Sequence, residues 1–347
     1  MARATDTIRI RPIPPSRVPE GRRNTREPAQ EPTGRTEIFA TGPEKDPMAT
    51  NDTVLKFGIP KGSLEAQTLE LMRKAGWRIA VNDRSYIPRV DDPALSCRLL
   101  RPQEMPRYIA DGSLDAGITG SDWIVENAVD LVEVESFIYS KVSLQPTRWV
   151  LCVPNQSPVQ KLEDLEGKRV ATELVAFTRR IFAARKVKVD VEFSWGVTEA
   201  KAADGLVDAV VEVTETGSSL RANGLRIIEE LLTSSPVLVA NHTAWSNGWK
   251  REKIRQIGVL MKGALDAESR VGIKMNVARE HLEAVIGLLP SITAPTVSQL
   301  YPSPNLKGKE WLAVETVISE HTVRELFPKL IEAGAVGIIE FALNKII

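Results

Sequence analysis

The sequence predicts an α/β fold in three parts: two lobes facing each other across a cleft, then a smaller module. Three observations predict it. Strand-like apolar runs alternate with short amphipathic stretches from residue 54 onward. A second block of the same grammar opens near residue 148 and hands the chain back near residue 236. From residue 270 the order of elements is βαββαβ. At 347 residues the chain is longer than one average domain of roughly 100–200 residues. An apolar share of 43% and a charged share of 26% are those of an ordinary globular protein. No run reaches the roughly 18–20 apolar residues of a membrane span, so no membrane partner is expected. Lys+Arg and Asp+Glu each number 45, so the formal net charge is zero and the basic field of a nucleic-acid binder is missing. An anionic ligand must then be met by a local site.

Residues 1–50 are rich in Pro, Arg, Glu and Thr and poor in large hydrophobes. Such a segment cannot offset its ordering entropy by burial, which predicts a disordered N-terminal extension. It has neither the apolar core of a secretory signal nor the acid-poor composition of a transit peptide. Met48, just before the first strand-like run, is an alternative start. Cys97 and Cys152 lie in the apolar runs ALSCRLL and WVLCVP, the setting of reduced, buried thiols in a cytoplasmic protein.

The first lobe is expected over 54–147 and 236–264. VLKFGIP (54–60) reads as a strand, and KGSLEAQTLELMRKAGW as a helix with Leu64, Thr68, Leu71, Met72 and Ala75 on one face. Ser63 is placed to cap its start and Gly76 its end. LSCRLL, RPQEMPRYIADG, LDAGITG and SDWIVENA repeat the step, with Ser121 a further N-cap. The second lobe, 148–235, runs through RWVLCVP, KRVATEL, the helix FTRRIFAARK, VDVEFSW and VDAVVEV (207–213) before PVLVAN (236–241) returns to the first. A chain that goes out and comes back in this way makes a bilobal, periplasmic-binding-protein-like region, with ligands at the carboxyl ends of strands and between the lobes. The last part, 270–347, takes the ferredoxin-like βαββαβ order: VGIKMNV, REHLEAVIGLLP, TVSQLY, WLAVETVIS, HTVRELFPKLIEAG and VGIIEFAL. Leu282, Val285, Ile286 and Leu289 share one face of its first helix, and Pro328 interrupts its second.

The most informative stretch is VVEVTETGSSLRANGL (210–225). A strand feeds a loop of hydroxyls and glycine, Thr214, Glu215, Thr216, Gly217, Ser218 and Ser219, that opens a helix closed by Gly224. Backbone N–H groups at such a turn, with Thr and Ser donors, suit a phosphate. Glu212 and Glu215 would repel a bare anion but suit ribose hydroxyls or a bound Mg2+. Lys61, beside Gly62, can meet an anion as a mobile charge or stand solvated at a helix start, and Arg101 can clamp phosphate at the next strand edge or lie free on the surface. Gly120 allows a backbone to approach a ligand, or simply makes a turn. Of the histidines His242, His281 and His321, only His242 lies in the bilobal part, without an evident carboxylate partner. Neither histidine acid–base chemistry nor a Ser/His/Asp or metal-ligand constellation is expected.

The 210–225 stretch resembles the phosphoribosyl-pyrophosphate loop of the ATP phosphoribosyltransferase family. Four further landmarks follow that family's order: GIPKGSL, LLRPQEMPRYIADGSLDAGITGSDW, GKRVATEL and LLPSITAPTVSQL. Together they span nearly all of 54–347 and identify the chain as a member of the long form. The family's usual loop has aspartate at the position of Glu212 and a small hydroxyl residue at that of Glu215, which leaves open which acid meets the ribose diol. The resemblance implies nucleotide contacts from Glu173, Thr178 and Arg179, and an ACT-like regulatory module that binds L-histidine as feedback inhibitor through Thr296, Ser298, Gly334 and Ala335. It also implies a homohexamer, in equilibrium with a dimer, acting in the cytoplasm on ATP and 5-phosphoribosyl-1-pyrophosphate with Mg2+. Two other readings compete: a prephenate-dehydratase-like enzyme, which shares the Thr-Arg pair of FTRRIF, and a transporter's solute-binding protein, which would need a signal or anchor that 1–50 does not supply.

Overall fold

The structure, a computed structural model, describes residues 53–82, 85–138, 146–290, 294–301 and 310–347. The expected disordered extension, Met48 and the SIT of LLPSITAPTVSQL fall outside these residues.

The first lobe begins with β1 (Leu55–Pro60), α1 (Glu65–Ala75) and the hairpin of β2 (Ile79–Asn82) and β3 (Ser85–Val90). It continues through β4 (Leu95–Leu100), α2 (Met105–Ala110), β5 (Ala116–Gly120), α3 (Ser121–Asn127) and β6 (Val132–Ser136). Its five-stranded sheet has the order β4-β1-β5 and then β12 (Pro236–Ala240) and β6, with β1 parallel to β4 and β5, and β12 antiparallel to its neighbours. Both faces are covered. Phe57 and Ile59 of β1 meet Leu71 and Met72 of α1 and Ile257 and Met261 of α8 (Gly248–Ala267), while Val237 and Val239 meet Met105 and Ile109 of α2 on the other side. Burial on both faces is why these strands read as nearly continuous apolar runs.

The second lobe comprises β7 (Thr147–Pro154), β8 (Arg169–Thr172), α4 (Val175–Ala184), β9 (Asp190–Phe193), α5 (Thr198–Ala203), β10 (Ala209–Thr214), α6 (Ser218–Ala222) and β11 (Leu225–Ser234). Its sheet order is β11-β7-β10-β8-β9, with β10, β8 and β9 parallel. Alternation along β7 serves two cores: Trp149, Leu151 and Val153 pack with Phe177 and Phe182 of α4, and Val150 and Cys152 with Ala202 and Leu220. The chain then returns through β12, α7 (His242–Ser246) and α8.

The C-terminal module is β13 (Arg270–Ala278), α9 (Leu282–Ile286), β14 (Thr296–Gln299), β15 (Trp311–Ser319), α10 (Val323–Glu332) and β16 (Ala335–Ala342). Its antiparallel sheet has the order β14-β15-β13-β16, the ferredoxin-like arrangement. Ile273, Met275, Val277 and Val314 face Val285 of α9 and Leu326 and Leu330 of α10. Pro328 sits inside α10 without breaking it, between those two buried leucines.

Four local features differ from the sequence reading. Ser63 does not cap α1: Leu64 holds that position, and the Gly62 N–H bonds to the Glu65 carboxylate at 3.3 Å. Ser121 is the first residue of α3 and Gly120 its cap. The hairpin β2–β3 and the 20-residue helix α8 have no counterpart in the sequence reading. Gly76 does end α1, at φ 124°. Among the described residues no helix is long and apolar enough to cross a membrane.

Met72 is fully buried between α1 and the sheet. Met72→Ala is expected to cost about 2–5 kcal/mol, the range for truncating a core side chain. Urea unfolding should show a lower midpoint with an unchanged slope.

Candidate active site

The two lobes meet where β11 ends at Ser234 and β12 begins at Pro236, and the N-terminus of α3 grips this crossing. The Ser121 N–H donates to the Ser235 carbonyl at 3.0 Å, the Asp122 N–H to Ser234 Oγ at 3.2 Å, and the Ser235 N–H to Ser121 Oγ at 3.3 Å. The Asp122 side chain crosses the boundary. Its Oδ2 accepts from Trp149 Nε1 of the second lobe at 2.7 Å, and its Oδ1 from the Trp123 N–H at 2.9 Å. The two indoles stand edge to face with centroids 6.1 Å apart. Glu126, one turn further along α3, accepts the N–H groups of Ala176 and Phe177 at 2.9 and 2.8 Å, capping α4 from the other lobe. Burial pushes the Asp122 carboxyl above the ordinary range, against the pull of the Trp149 hydrogen bond. A Cβ on Gly120 would lie 2.2 Å from Asp122 Oδ1, so this glycine lets the carboxylate fold back over the strand end.

Strand register determines what stands at the rim. In the first lobe Pro60 lies opposite Leu100, so the next residues, Lys61 and Arg101, leave the sheet side by side. In the second, Thr172 lies opposite Val211 and Phe193, so Glu173 emerges next to Glu212 and Ser194. These are the carboxyl ends of parallel strands, where open α/β sheets bind ligands.

Two adjoining cavities lie there. One, of about 380 Å³, is lined by Lys61, Gly62, Arg101, Gly120, Asp122, Glu173, Thr214 and Glu215, among others. The other, of about 660 Å³, has an aromatic wall of Tyr86, Phe193 and Trp195 together with Glu104, Arg107 and Glu126. They share Lys61, Arg101, Gln103, Trp123 and Glu173. The Lys61 ammonium lies 4.3 Å from the centre of the Tyr86 ring, and the Arg101 guanidinium 5.3 Å from that of Trp195.

Only the start of the hydroxyl loop, Thr214 and Glu215, lines the smaller cavity; Glu212, Thr216, Gly217, Ser218 and Ser219 line neither of the two. Gly217, at φ 72°, caps α6, and its N–H donates to Thr214 Oγ1 at 2.8 Å. Thr216 Oγ1 donates to Ser218 Oγ at 3.0 Å, and Ser219 Oγ to Glu199 at 2.7 Å. Sequence reasoning missed Glu199, which stands in the first turn of α5 and reaches the loop only through the fold. Burial lifts the Glu212 carboxyl to about 7; the nearby Glu199 charge adds to the lift, and the Val213 N–H and the Thr198 hydroxyl oppose it.

Several expected residues stand elsewhere. Thr178 is fully buried in the second lobe, with Oγ1 unpartnered, and Arg179 donates to the Val191 carbonyl at 2.9 Å. Neither lines the two cavities: Thr178 falls on the inward face of α4, and Arg179 is turned towards β9. The four residues expected to hold histidine do not converge within one chain. Thr296 and Ser298 lie on the edge strand β14 and Ala335 begins the opposite edge, β16, with β15 and β13 between them. Gly334, at φ 98°, packs against the His281 ring, 2.8 Å from where its Cβ would stand. His242 does have a carboxylate partner, Asp130 at 3.1 Å, on the exposed surface. Cys97 and Cys152 are buried and unpaired, and burial pushes both thiols up to about 12, which keeps them protonated.

Among known proteins, the family model "ATP phosphoribosyltransferase" matches residues 101–263 and the model "HisG, C-terminal domain" residues 267–345. The chain is 55% identical over 294 residues to ATP phosphoribosyltransferase 1 of Geobacter sulfurreducens, covering 85% of this chain and 99% of that one. It is also 55% identical, with the same coverage, to the ATP phosphoribosyltransferase of Desulfosudis oleivorans. A solved ATP phosphoribosyl transferase (HisG:HisZ) complex from Thermotoga maritima superposes with a TM-score of 0.52 at 27% identity, covering 60% of this chain and 99% of that one.

The bond from Trp149 to the buried Asp122 yields a prediction. Trp149→Phe leaves that carboxylate short of a donor and should cost about 1–3 kcal/mol at neutral pH. Because its pKa is raised, Asp122 binds its proton more tightly in the folded than in the unfolded chain, so lowering the pH favours the folded state. The Trp149 bond favours the ionised form, so without it the Asp122 pKa rises further, and the deficit measured by urea unfolding should shrink as the pH falls.

Proposed function

This chain belongs to the ATP phosphoribosyltransferase family, and on that premise we propose that its cleft joins adenine N1 of ATP to C1 of 5-phosphoribosyl-1-pyrophosphate, releasing pyrophosphate, as the first step of histidine biosynthesis. The observation that carries this reading is the junction at the strand ends. Thr214 and Glu215, the start of the hydroxyl loop, and Glu173 stand on one lobe, and Lys61 and Arg101 on the other, around one cavity, with Glu212 half-buried behind the loop's first residues. The nucleophile belongs to the substrate, so the protein's work is to align two polyanions and to stabilise charge as the ribosyl carbon becomes cation-like.

In this reading the 5′-phosphate lies on Thr214, Thr216, Gly217, Ser218 and Ser219, whose hydroxyls exchange their mutual bonds for phosphate oxygens. Glu212 accepts from the ribose hydroxyls. Lys61, Gly62, Arg101 and Gly120 face pyrophosphate and the phosphates of ATP. The aromatic wall of Tyr86, Phe193 and Trp195 offers its faces to the adenine. Among the described residues no three acidic, imidazole or thiol groups gather into a metal cage. A Mg2+ carried on the pyrophosphate would neutralise the leaving group, with Glu212 or Glu215 as an added oxygen ligand.

The C-terminal module is read as the seat of feedback inhibition by L-histidine in a cytoplasmic homohexamer exchanging with a dimer. A histidine site using both sheet edges needs two copies of the chain, since Thr296 and Ser298 lie three strands away from Ala335.

ATP plus phosphoribosyl pyrophosphate should give the absorbance of the N1-ribosylated adenine; a folded enzyme that gives none overturns the reading. Glu212→Gln should raise KM for phosphoribosyl pyrophosphate about tenfold or more, the loss expected for hydrogen bonds to a charged acceptor. In the parent enzyme that KM should rise as the pH falls below about 7, where Glu212 takes up its proton, and the variant should lose this dependence.

A further inference from the structure

We propose that Glu173 is a catalytic residue of this site: its carboxylate takes the proton that the adenine 6-amino group loses as N1 becomes bonded to the ribosyl carbon. The inference rests on the phosphoribosyl-transfer reading above and goes beyond it by assigning the acceptor of that proton.

The chemistry gives such an acceptor a task. The N1 lone pair forms the N1–C1 bond while the C1–O bond breaks, and its electron pair leaves on pyrophosphate. The adenine then carries a positive charge spread over N1 and the exocyclic nitrogen. Loss of one N6 proton gives the neutral imino form. A carboxylate that accepts that proton becomes a neutral acid, and it later returns the proton to water, so the balance closes without a further reactant. The acceptor must stand beside N1, and so where the two substrates meet.

Glu173 is the one acid, among the described residues, that lines both cavities. It emerges from β8 next to Glu212 of β10, on the side of the cleft that faces Lys61 and Arg101. Its neighbour Gln103 supplies an independent pointer to a ligand. The Gln103 amide donates to the Glu173 carboxyl, while Gln103 Oε1 is buried without a partner, and its side chain also lines both cavities. An unmatched acceptor beside a carboxylate, brought to the cavity by a small turn of the Gln103 side chain, complements an amino group with two hydrogens, one for each oxygen.

The other acids of the cleft are committed. Asp122 is held by the Trp149 indole and the Trp123 N–H, and Glu126 by the first turn of α4. Glu212 is held by the Thr198 hydroxyl and the Val213 N–H and lines neither cavity. Glu104 lines only the aromatic cavity, and Glu215 only the other.

The charges around Glu173 come from every side: Lys61 and Arg101 from the strand ends of the first lobe, Asp122 and Glu126 from α3, and Glu212 from β10. Burial raises its carboxyl above the ordinary carboxylate range; the Gln103 hydrogen bond pulls it down, Asp122 adds to the lift, and Arg101 opposes it. A base raised in this way sits nearer the operating pH, where general-base catalysis is most efficient.

The test is the single-turnover rate of adduct formation at saturating substrates, followed across pH in the full-length enzyme. The parent rate should climb with pH along a limb that titrates above the ordinary carboxylate range. Glu173→Gln should lower the rate by about 10²–10⁴-fold, the usual share of a general base, remove that limb, and leave KM for phosphoribosyl pyrophosphate within about threefold. Glu173→Asp should keep the limb at an intermediate rate. A Glu173→Gln enzyme that keeps its rate, or loses rate equally at all pH with the limb intact, overturns the assignment. If Glu173→Gln fails to fold, the parent profile decides: a flat one overturns the assignment, and a limb that Glu173→Asp preserves with reduced rate supports it. A parent enzyme that forms no adduct refutes the phosphoribosyl-transfer reading itself, whereas an active parent with an equally active Glu173→Gln refutes only the role of Glu173.

Discussion

The site depends on one buried hydrogen bond, from the Trp149 indole to the Asp122 carboxylate. Asp122 belongs to the first lobe by chain order, yet its partner is a core residue of the second, and Trp123 beside it packs into that same second core. An ionised carboxylate is costly to bury unless its oxygens are matched. Here the matching groups come from both sides of the boundary, so the favourable arrangement of Asp122 is available only when the lobes stand in this relation. Glu126 repeats the device one turn along, capping α4 across the boundary. Rotation of the lobes about the crossing at Ser234–Pro236 has to break these contacts or carry α3 with the second lobe.

Given that relation, strand register distributes charge. Parallel pairing of β1 with β4 delivers Lys61 and Arg101 together, and pairing of β8 with β10 delivers Glu173 and Glu212 together. At the strand ends, cations thus stand on the first lobe and acids on the second. For a reaction between two polyanions the cations suit the phosphates, and the acids suit groups that are neutral or turn positive: ribose hydroxyls, and the adenine as it is ribosylated. The chain's zero net charge fits this economy, because the field is made locally rather than by the whole surface.

The α/β steps, the cleft and the C-terminal βαββαβ order were legible because each rests on a local period. LKFGIP and LSCRLL are apolar runs, and the helix face of Thr68, Leu71, Met72 and Ala75 repeats at helical spacing. The hydroxyl loop was legible for the same reason, as a strand, a turn and a helix in consecutive residues. What could not be read depends on contacts between distant segments. Glu199 joins the site through its bond to Ser219, twenty residues on, and Asp122 matters through Trp149. Thr178 and Arg179 lie in a helix that begins at the cleft, but helical phase, which the sequence does not set against the fold, turns Thr178 inward and Arg179 towards β9. Likewise Thr296 and Ala335 lie on opposite edges of one sheet, which only the strand order 2-3-1-4 within the module reveals.

The most direct test of the account is a crystal structure of the enzyme with phosphoribosyl pyrophosphate bound. The 5′-phosphate is expected on the loop from Thr214 to Ser219, with Ser219 released from Glu199, the ribose diol against Glu212, and pyrophosphate towards Lys61 and Arg101. A phosphate held away from that loop, or a ribose turned from the acids of the second lobe, would contradict it.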